Sequence, residues 1–224
     1  IHTLNLLRTI LKNNWLCLVA FLFNPSVAKW NGTEETPSAS VCTHRNWNES
    51  GFHQSATAVV VIVRIGVKPK KDANQNETKT EVVAGDFVTN IDKKSTPSKT
   101  IDLPDQLKDE IHASLLKDLE QWSSTKLLPT YVYGIRIYQN GAILSSHKDR
   151  RETHIIGTII NIDQDLINEW PLEIEDHDGE VHKIYLEPGE VIFYESATLI
   201  HGRPDPLEGK FFSNVFCHYM PKIS

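Results

Sequence analysis

A chain of 224 residues has room for one sizeable domain and a modest extension. Its 40% hydrophobic and 23% charged residues exclude both a disordered and a membrane-embedded chain. With 29 acidic against 23 basic residues and a net charge of −6, it is not built to grip phosphate backbones, and no nucleic-acid partner is expected.

The chain opens with a basic flank (Arg8, Lys12), an apolar run from Trp15 to Phe23, and small residues at Ser26 and Ala28. That pattern predicts a signal peptide over residues 1–28, with an ordinary buried helix as the competing reading. The run is shorter than the about 20 residues a bilayer needs, so no stable membrane span is expected after its removal. The implied location is the endoplasmic reticulum lumen or the exterior. The sequons at Asn31, Asn48 and Asn76 agree with it as glycosylation sites. Cys17 would leave with the signal, while Cys42 and Cys217 either pair or stay free; Cys217, in an apolar run, reads as a buried thiol.

Residues 29–55 are rich in Asn, Thr, Ser and Glu and read as a polar linker. Residues 56–100 hold strands and a loop. The β-branched run Ala58 to Val67 is one strand, the stretch 68–80 with its basic Lys68-Pro69-Lys70-Lys71 is a solvated loop, and Glu81 to Ile91 is a second strand. Leu107, Ile111, Leu115, Leu119 and Trp122 recur at steps of four and three, predicting an amphipathic helix over 104–122.

From Tyr131 the period changes to two. Strands are predicted at 131–139, 154–162, 172–175, 181–186, 190–195 and 211–219, with a hairpin at His177-Asp178-Gly179. Short strands behind a helix predict an α+β, mainly β architecture: a closed or sandwiched antiparallel barrel with helical support.

The chemistry-bearing residues are His147, Asp149, His201 and Lys210. Residues two apart on a strand share a face, so His147 and Asp149 can grip one metal from neighbouring rungs, with His201 as third ligand. Two imidazoles and a carboxylate on one face of an octahedron leave three positions open, as non-haem iron(II) oxygenases require for a keto acid and O2. A 2-oxoglutarate chelated there has a buried far carboxylate that needs a cation, and Lys210 would supply it. Spacing alone does not separate this triad from coincidence: the chain has 10 histidines, and His154, His177 and His182 are rivals. His177 and His182 read as exposed turn residues, His154 as a structural histidine, and Arg150 and Arg151 as surface ion-pair formers. The same ligands also suit a zinc hydrolase, which has no use for Lys210.

Several ordered motifs add to this. Tyr133-Gly134-Ile135-Arg136-Ile137-Tyr138, His147-Lys148-Asp149, Glu187-Pro188-Gly189, Tyr194-Glu195-Ser196, His201-Gly202-Arg203 and Gly209 through Asn214 resemble the prolyl 4-hydroxylase branch of the Fe(II)/2-oxoglutarate-dependent dioxygenases. The resemblance spans roughly residues 100 to 221. It implies a double-stranded β-helix (jelly-roll) core supported by the N-terminal helix, and a catalytic core over residues 101–224. It further implies iron held by His147, Asp149 and His201, 2-oxoglutarate anchored by Lys210, and ascorbate as reductant. Tyr138 matches a tyrosine that bonds the co-substrate, or else is a core aromatic, and Arg203 and Tyr194 are placed at the mouth. The implied activity is hydroxylation of a peptide or protein substrate, foremost at proline. The alternatives are another side chain or small molecule as substrate, or a catalytically silent jelly-roll binding module. Leu144 departs from the aromatic residue common at its place in the collagen-type enzymes, and Lys210 follows His201 one residue sooner than in them.

Overall fold

The computed structural model describes residues 78–81 and 87–222, together with the backbone of two further strands at 16–20 and 61–65. Its single described helix, α1 (Asp105–Ser123), matches the predicted span within one residue. Leu107, Ile111, Leu115 and Leu119 are all at most 1% exposed and form its buried stripe. Pro104 precedes it and its carbonyl accepts the amides of Leu107 and Lys108, satisfying two of the orphan donors of the first turn. Ser124, in the left-handed conformation, ends it.

Thirteen strands are described: β1 (Leu16–Ala20), β2 (Val61–Ile65), β3 (Lys79–Thr80), β4 (Val88–Asn90), β5 (Ser98–Ile101), β6 (Leu127–Gln139), β7 (Ala142–His147), β8 (Ile156–Leu166), β9 (Leu172–Glu175), β10 (Val181–Ile184), β11 (Glu190–Tyr194), β12 (His201–Arg203) and β13 (Gly209–Pro221). They form an eight-stranded sheet in the order β1-β2-β11-β8-β13-β6-β5-β3 and a five-stranded sheet in the order β10-β9-β12-β7-β4. Every recorded pairing is antiparallel. From β6 onward the chain alternates between the sheets except at the β9–β10 hairpin, and the order β6, β13, β8, β11 in the large sheet matches β7, β12, β9, β10 in the small one. This is the expected mainly β, double-stranded β-helix architecture. The predicted hairpin is β9–β10, with Val181 opposite Glu175 and Ile184 opposite Leu172.

Strand alternation separates two cores. Val215, Cys217 and Tyr219 of β13, with Ile156, Ile160 and Ile162 of β8, turn outward to meet α1. The Tyr219 hydroxyl donates to the His112 carbonyl at 2.9 Å and ties helix to sheet. Phe212 and Phe216 turn inward to join Ile159, Leu172, Ile174, Ile192 and Tyr194 between the sheets. Replacing any one of the four buried helix residues by alanine costs about 2–5 kcal/mol.

Some expectations shift. The 58–67 run supplies β2 at its centre, and of the 81–91 stretch only Val88–Asn90 is a described strand. β5, β7 and β12 were not foreseen, β3 falls at the end of the stretch read as a loop, and β1 lies inside the stretch read as a signal peptide. Asn31, Asn48, Asn76, Cys42 and the 68–71 basic run fall outside the described residues. Among the described residues no helix is long and apolar enough to cross a membrane.

Candidate metal centre

His147 closes β7 and His201 opens β12, and the two face each other directly across the β7–β12 pairing. Their ring centroids lie 4.5 Å apart. Such an approach requires Gly202: a Cβ there would stand 2.8 Å from the Leu144 carbonyl oxygen and 2.8 Å from Ser146 Cα. Asp149 is not on a neighbouring rung of the strand, as the spacing suggested, because β7 stops at His147. The loop places it instead: the Asp149 amide donates to the Ser196 carbonyl at 2.9 Å, bringing its Oδ1 3.6 Å from His147 Nε2 and 4.0 Å from His201 Nε2. Ligand atoms of all three residues lie within 4.8 Å of one another.

The donor set is prepared for a cation. His147 Nδ1 lies 2.8 Å from the Ser145 carbonyl oxygen and His201 Nδ1 lies 3.0 Å from that of Leu199. A carbonyl oxygen only accepts, so each Nδ1 carries the proton and each Nε2 presents a lone pair to the centre. Burial holds the His201 imidazole down to about 4, neutral at physiological pH. Burial alone would raise the Asp149 carboxyl. The neighbouring rings of His147, His201 and His218 outweigh it and hold the group well below the usual carboxylate range. A neutral His201 nitrogen and an ionised Asp149 carboxylate are forms a divalent metal binds, and with the Nε2 of His147 beside them the residues fit such an ion.

The triad lines a cavity of 410 Å³. Leu144, Ile159, Tyr194 and Phe216 make its apolar wall, and Phe87 stacks on His147 at 4.5 Å. The polar wall contains groups the sequence reading overlooked. Arg136, its side chain 14% exposed, makes a bidentate pair with Glu81 at 2.7 and 2.8 Å, and its guanidinium carbon lies 4.9 Å from the Phe216 ring centre. His218 is buried with Nδ1 lacking a hydrogen-bond partner, 3.8 Å from Asp149 Oδ2, and its ring lies 3.9 Å from that of His154. His154 is thus structural, as expected, and also part of the wall, with its Nε2 2.9 Å from the Tyr133 hydroxyl. A basic or aromatic residue at an inward position of β6 or β13 was the available signal for Arg136 and His218. Glu81 could not be matched to Arg136 from sequence, because 55 residues separate them.

The other predicted residues are not brought to the centre as expected. Lys210 is at the surface, 79% exposed, in an ion pair with Asp165 at 2.7 Å. The pairing of β13 with β8 slips between Gly209 and Phe211, so the alternation that turns Phe212 and Phe216 inward does not extend back to Lys210. Tyr138 is fully buried, edge-on to Trp170 at 5.0 Å, and its hydroxyl accepts from Arg136 at 3.4 Å, so the core-aromatic reading fits it. Arg203 and Tyr194 are not at the mouth, being 1% and 2% exposed; the Tyr194 hydroxyl lies 3.5 Å from His201 Nε2, deep in the cavity. Arg150 donates to the Tyr133 hydroxyl at 3.3 Å instead of a surface carboxylate.

A second group, Asp176, Glu180 and His182, also brings three donor atoms together. His182 is buried, not exposed, because its Nε2 is 2.6 Å from Asp176. The same carboxylate accepts the amides of Asp178 and Glu180 at 2.9 Å each. These bonds shape the β9–β10 turn and use the carboxylate fully, while His177 lies half-buried against Glu195 at 3.0 Å.

No protein-family model matches the chain, and no curated protein matches it in sequence. Solved structures similar to it include a 2OG-Fe(II) oxygenase and several prolyl hydroxylases. One is an oxidoreductase of the 2OG-Fe(II) oxygenase family from Burkholderia pseudomallei, 8% identical over 72% of this chain and 68% of that one, TM-score 0.45. Another is a viral collagen prolyl hydroxylase from Paramecium Bursaria Chlorella virus-1, 14% identical over 59% of this chain and 86% of that one, TM-score 0.45. A third is a prolyl hydroxylase from Trichoplax adhaerens in complex with a peptide fragment of the hypoxia inducible factor oxygen degradation domain. It is 11% identical over 61% of this chain and 71% of that one, TM-score 0.42.

Proposed function

We propose that the chain is an Fe(II)- and 2-oxoglutarate-dependent dioxygenase that hydroxylates a peptide side chain, foremost proline. The observation that carries the reading is the convergence of His147, Asp149 and His201, with both Nε2 atoms and the carboxylate directed into one cavity. These three residues would hold the iron and leave its remaining positions to keto acid and O2. When bound, the metal with its co-substrates supplies oxidative decarboxylation of 2-oxoglutarate to succinate and CO2, coupled to conversion of a substrate C–H to C–OH.

The chain's own part is positional. The backbone carbonyls of Ser145 and Leu199 lock the two imidazoles in orientation and tautomer. Leu144, Ile159 and Phe216 exclude water from one side of the centre. A peptide substrate is favoured by the aromatic lip: Tyr131, 48% exposed, stacks on Tyr133 at 5.6 Å, and Tyr133 lines the cavity. Paired aromatic rings at a groove edge are the surfaces on which proline-containing extended segments dock. Ascorbate belongs to the same reading as the reductant that rescues uncoupled turnovers. So does a secretory-pathway location, which rests on the N-terminal pattern and the sequons at Asn31, Asn48 and Asn76; glycosidase-sensitive mass on the secreted chain would test it.

Succinate formation from 2-oxoglutarate, with Fe(II) and ascorbate and with proline-rich peptides, tests the chemistry against His147→Ala. Turnover that vanishes in the variant is the expected result. No turnover with any peptide, together with no iron-dependent binding of 2-oxoglutarate, would overturn the reading and leave a silent jelly-roll binding module or a zinc hydrolase.

A further inference from the structure

A row of rings runs from the metal centre to the surface. β13 lies between β6 and β8, and in that register His218 stands opposite Tyr131 on one side and Gly157 on the other. His218 Nδ1 is buried 3.8 Å from Asp149 Oδ2. Its ring lies 3.9 Å from that of His154 and meets Tyr133 edge-on at 5.8 Å. Tyr133 stacks on Tyr131 at 5.6 Å, and Tyr131 is 48% exposed.

The hydrogen bonds prepare one of these phenols to lose a proton. Guanidinium nitrogens only donate, so the Tyr133 oxygen accepts from Arg150 at 3.3 Å. Its own proton is left for His154 Nε2, 2.9 Å away. Burial holds the His154 pKa down, so the neutral ring accepts there while its Nδ1–H donates to the Thr153 hydroxyl. Two other phenols near the centre lack such a base. The Tyr194 hydroxyl lies 3.5 Å from His201 Nε2, whose lone pair faces the metal, and the Tyr138 hydroxyl accepts from Arg136. A phenol gives up an electron readily only when a positioned base takes its proton in the same step, which singles out Tyr133.

Turnover without a peptide leaves an oxidant at the iron and no C–H bond for it to attack. We propose that Tyr133, with His154 as its proton acceptor and Tyr131 as its outlet, relays that oxidising equivalent to the surface. This rests on the oxygenase reading above. Tyr133 loses one electron to the centre by way of His218, and its O–H bond breaks as the proton passes to His154 Nε2. Tyr131 then returns an electron to Tyr133, His154 returns the proton, and the Tyr131 proton goes to solvent. A reductant of the ene-diol class restores Tyr131 by giving it a hydrogen atom. Two rounds deliver two electrons, and with two protons from solvent the unused oxygen atom leaves as water.

Freeze-quenched electron paramagnetic resonance tests this on the full chain, loaded with Fe(II) and 2-oxoglutarate, free of peptide and mixed with O2. The wild-type protein should give a tyrosyl signal, and so should Tyr185→Phe, which removes an exposed phenol outside the cavity lining. Tyr133→Phe should lose the signal. His154→Gln, which can accept a hydrogen bond and cannot hold the proton, should lose it as well, and decides if Tyr133→Phe does not fold. Tyr131→Phe should keep the signal and prolong its lifetime when ascorbate is added. A signal that survives in Tyr133→Phe, or succinate formed by the wild-type protein with no tyrosyl signal, would overturn the relay and spare the oxygenase reading. No succinate with or without proline-rich peptides would overturn both.

Discussion

Gly202 should control the metal centre without offering it a single ligand atom. In Gly202→Ala the new Cβ would meet three backbone atoms of β7, the Leu144 oxygen and Ser146 Cα at 2.8 Å and Ser146 N at 2.9 Å. Ordinary contact begins at 3.4 Å, and backbone cannot rotate aside as a side chain can, so β12 must retreat from β7 by about 0.6 Å. His201 adjoins that residue and His147 is its partner across the same two strands, so the retreat widens the gap between two ligands. Overpacking of this kind costs about 1–3 kcal/mol. Disturbed ligand orientation lowers metal affinity by about 10–100-fold. Melting temperature and Co(II) titration read the two effects separately. Gly179→Ala is the control: a Cβ there meets nothing within 4 Å, but its φ of +84° strains any side chain, by about 1–2 kcal/mol. The control should lose stability and keep wild-type Co(II) affinity, whereas Gly202→Ala should lose both. Wild-type affinity and an unshifted melting point in Gly202→Ala would refute the close-approach argument.

Glu81→Ala strips the Arg136 guanidinium of its carboxylate at a site where both side chains are 14% exposed, and should cost about 3–5 kcal/mol in urea unfolding. The double replacement Glu81→Leu with Arg136→Met should recover most of that; a loss under 1 kcal/mol in the single variant would show the pair to be dispensable. Burial pushes the Cys217 thiol up to about 12. Its thiolate fraction at pH 8 is therefore about a thousandfold below that of an ordinary thiol and grows only as pH climbs toward 12. Peptide mapping after alkylation at pH 8 should find Cys217 unlabelled in the folded protein and labelled after unfolding; rapid labelling of the native chain would contradict its placement beneath α1.

What the sequence made legible was whatever repeats locally. The four-step stripe from Leu107 to Leu119 located α1 within a residue, and the alternating runs located β8, β9, β11 and β13 within a few. β12 is three residues long, too short for any period to register, and β7 carries Ser145 and Ser146 where alternation would want an apolar side chain. The two histidines of the triad were read from spacing; Asp149 converges with them, but from a loop and not from a neighbouring rung of the strand. Its placement depends on an amide bond to Ser196, a contact with no sequence signature. Lys210 and Arg203 both stand away from their expected places. A register slip after Gly209 accompanies the lysine's place at the surface, while Arg203, after a register shift of its own, is buried instead of standing at the mouth.

β13 is the last described strand in the chain, and it occupies the interior of the large sheet, bonded to β6 on one side and β8 on the other. During synthesis from the N-terminus, β6 and β8 must therefore wait with facing edges unpaired until residue 221 has left the ribosome. Neither the layer beneath α1 nor the one holding Phe212, Phe216 and His218 can close before then. Nascent chains stalled short of that point would expose two open strand edges around a vacant slot, which is the geometry that recruits other strands and promotes aggregation. Translation speed across β13, and chaperone occupancy of that slot, should then bear on yield.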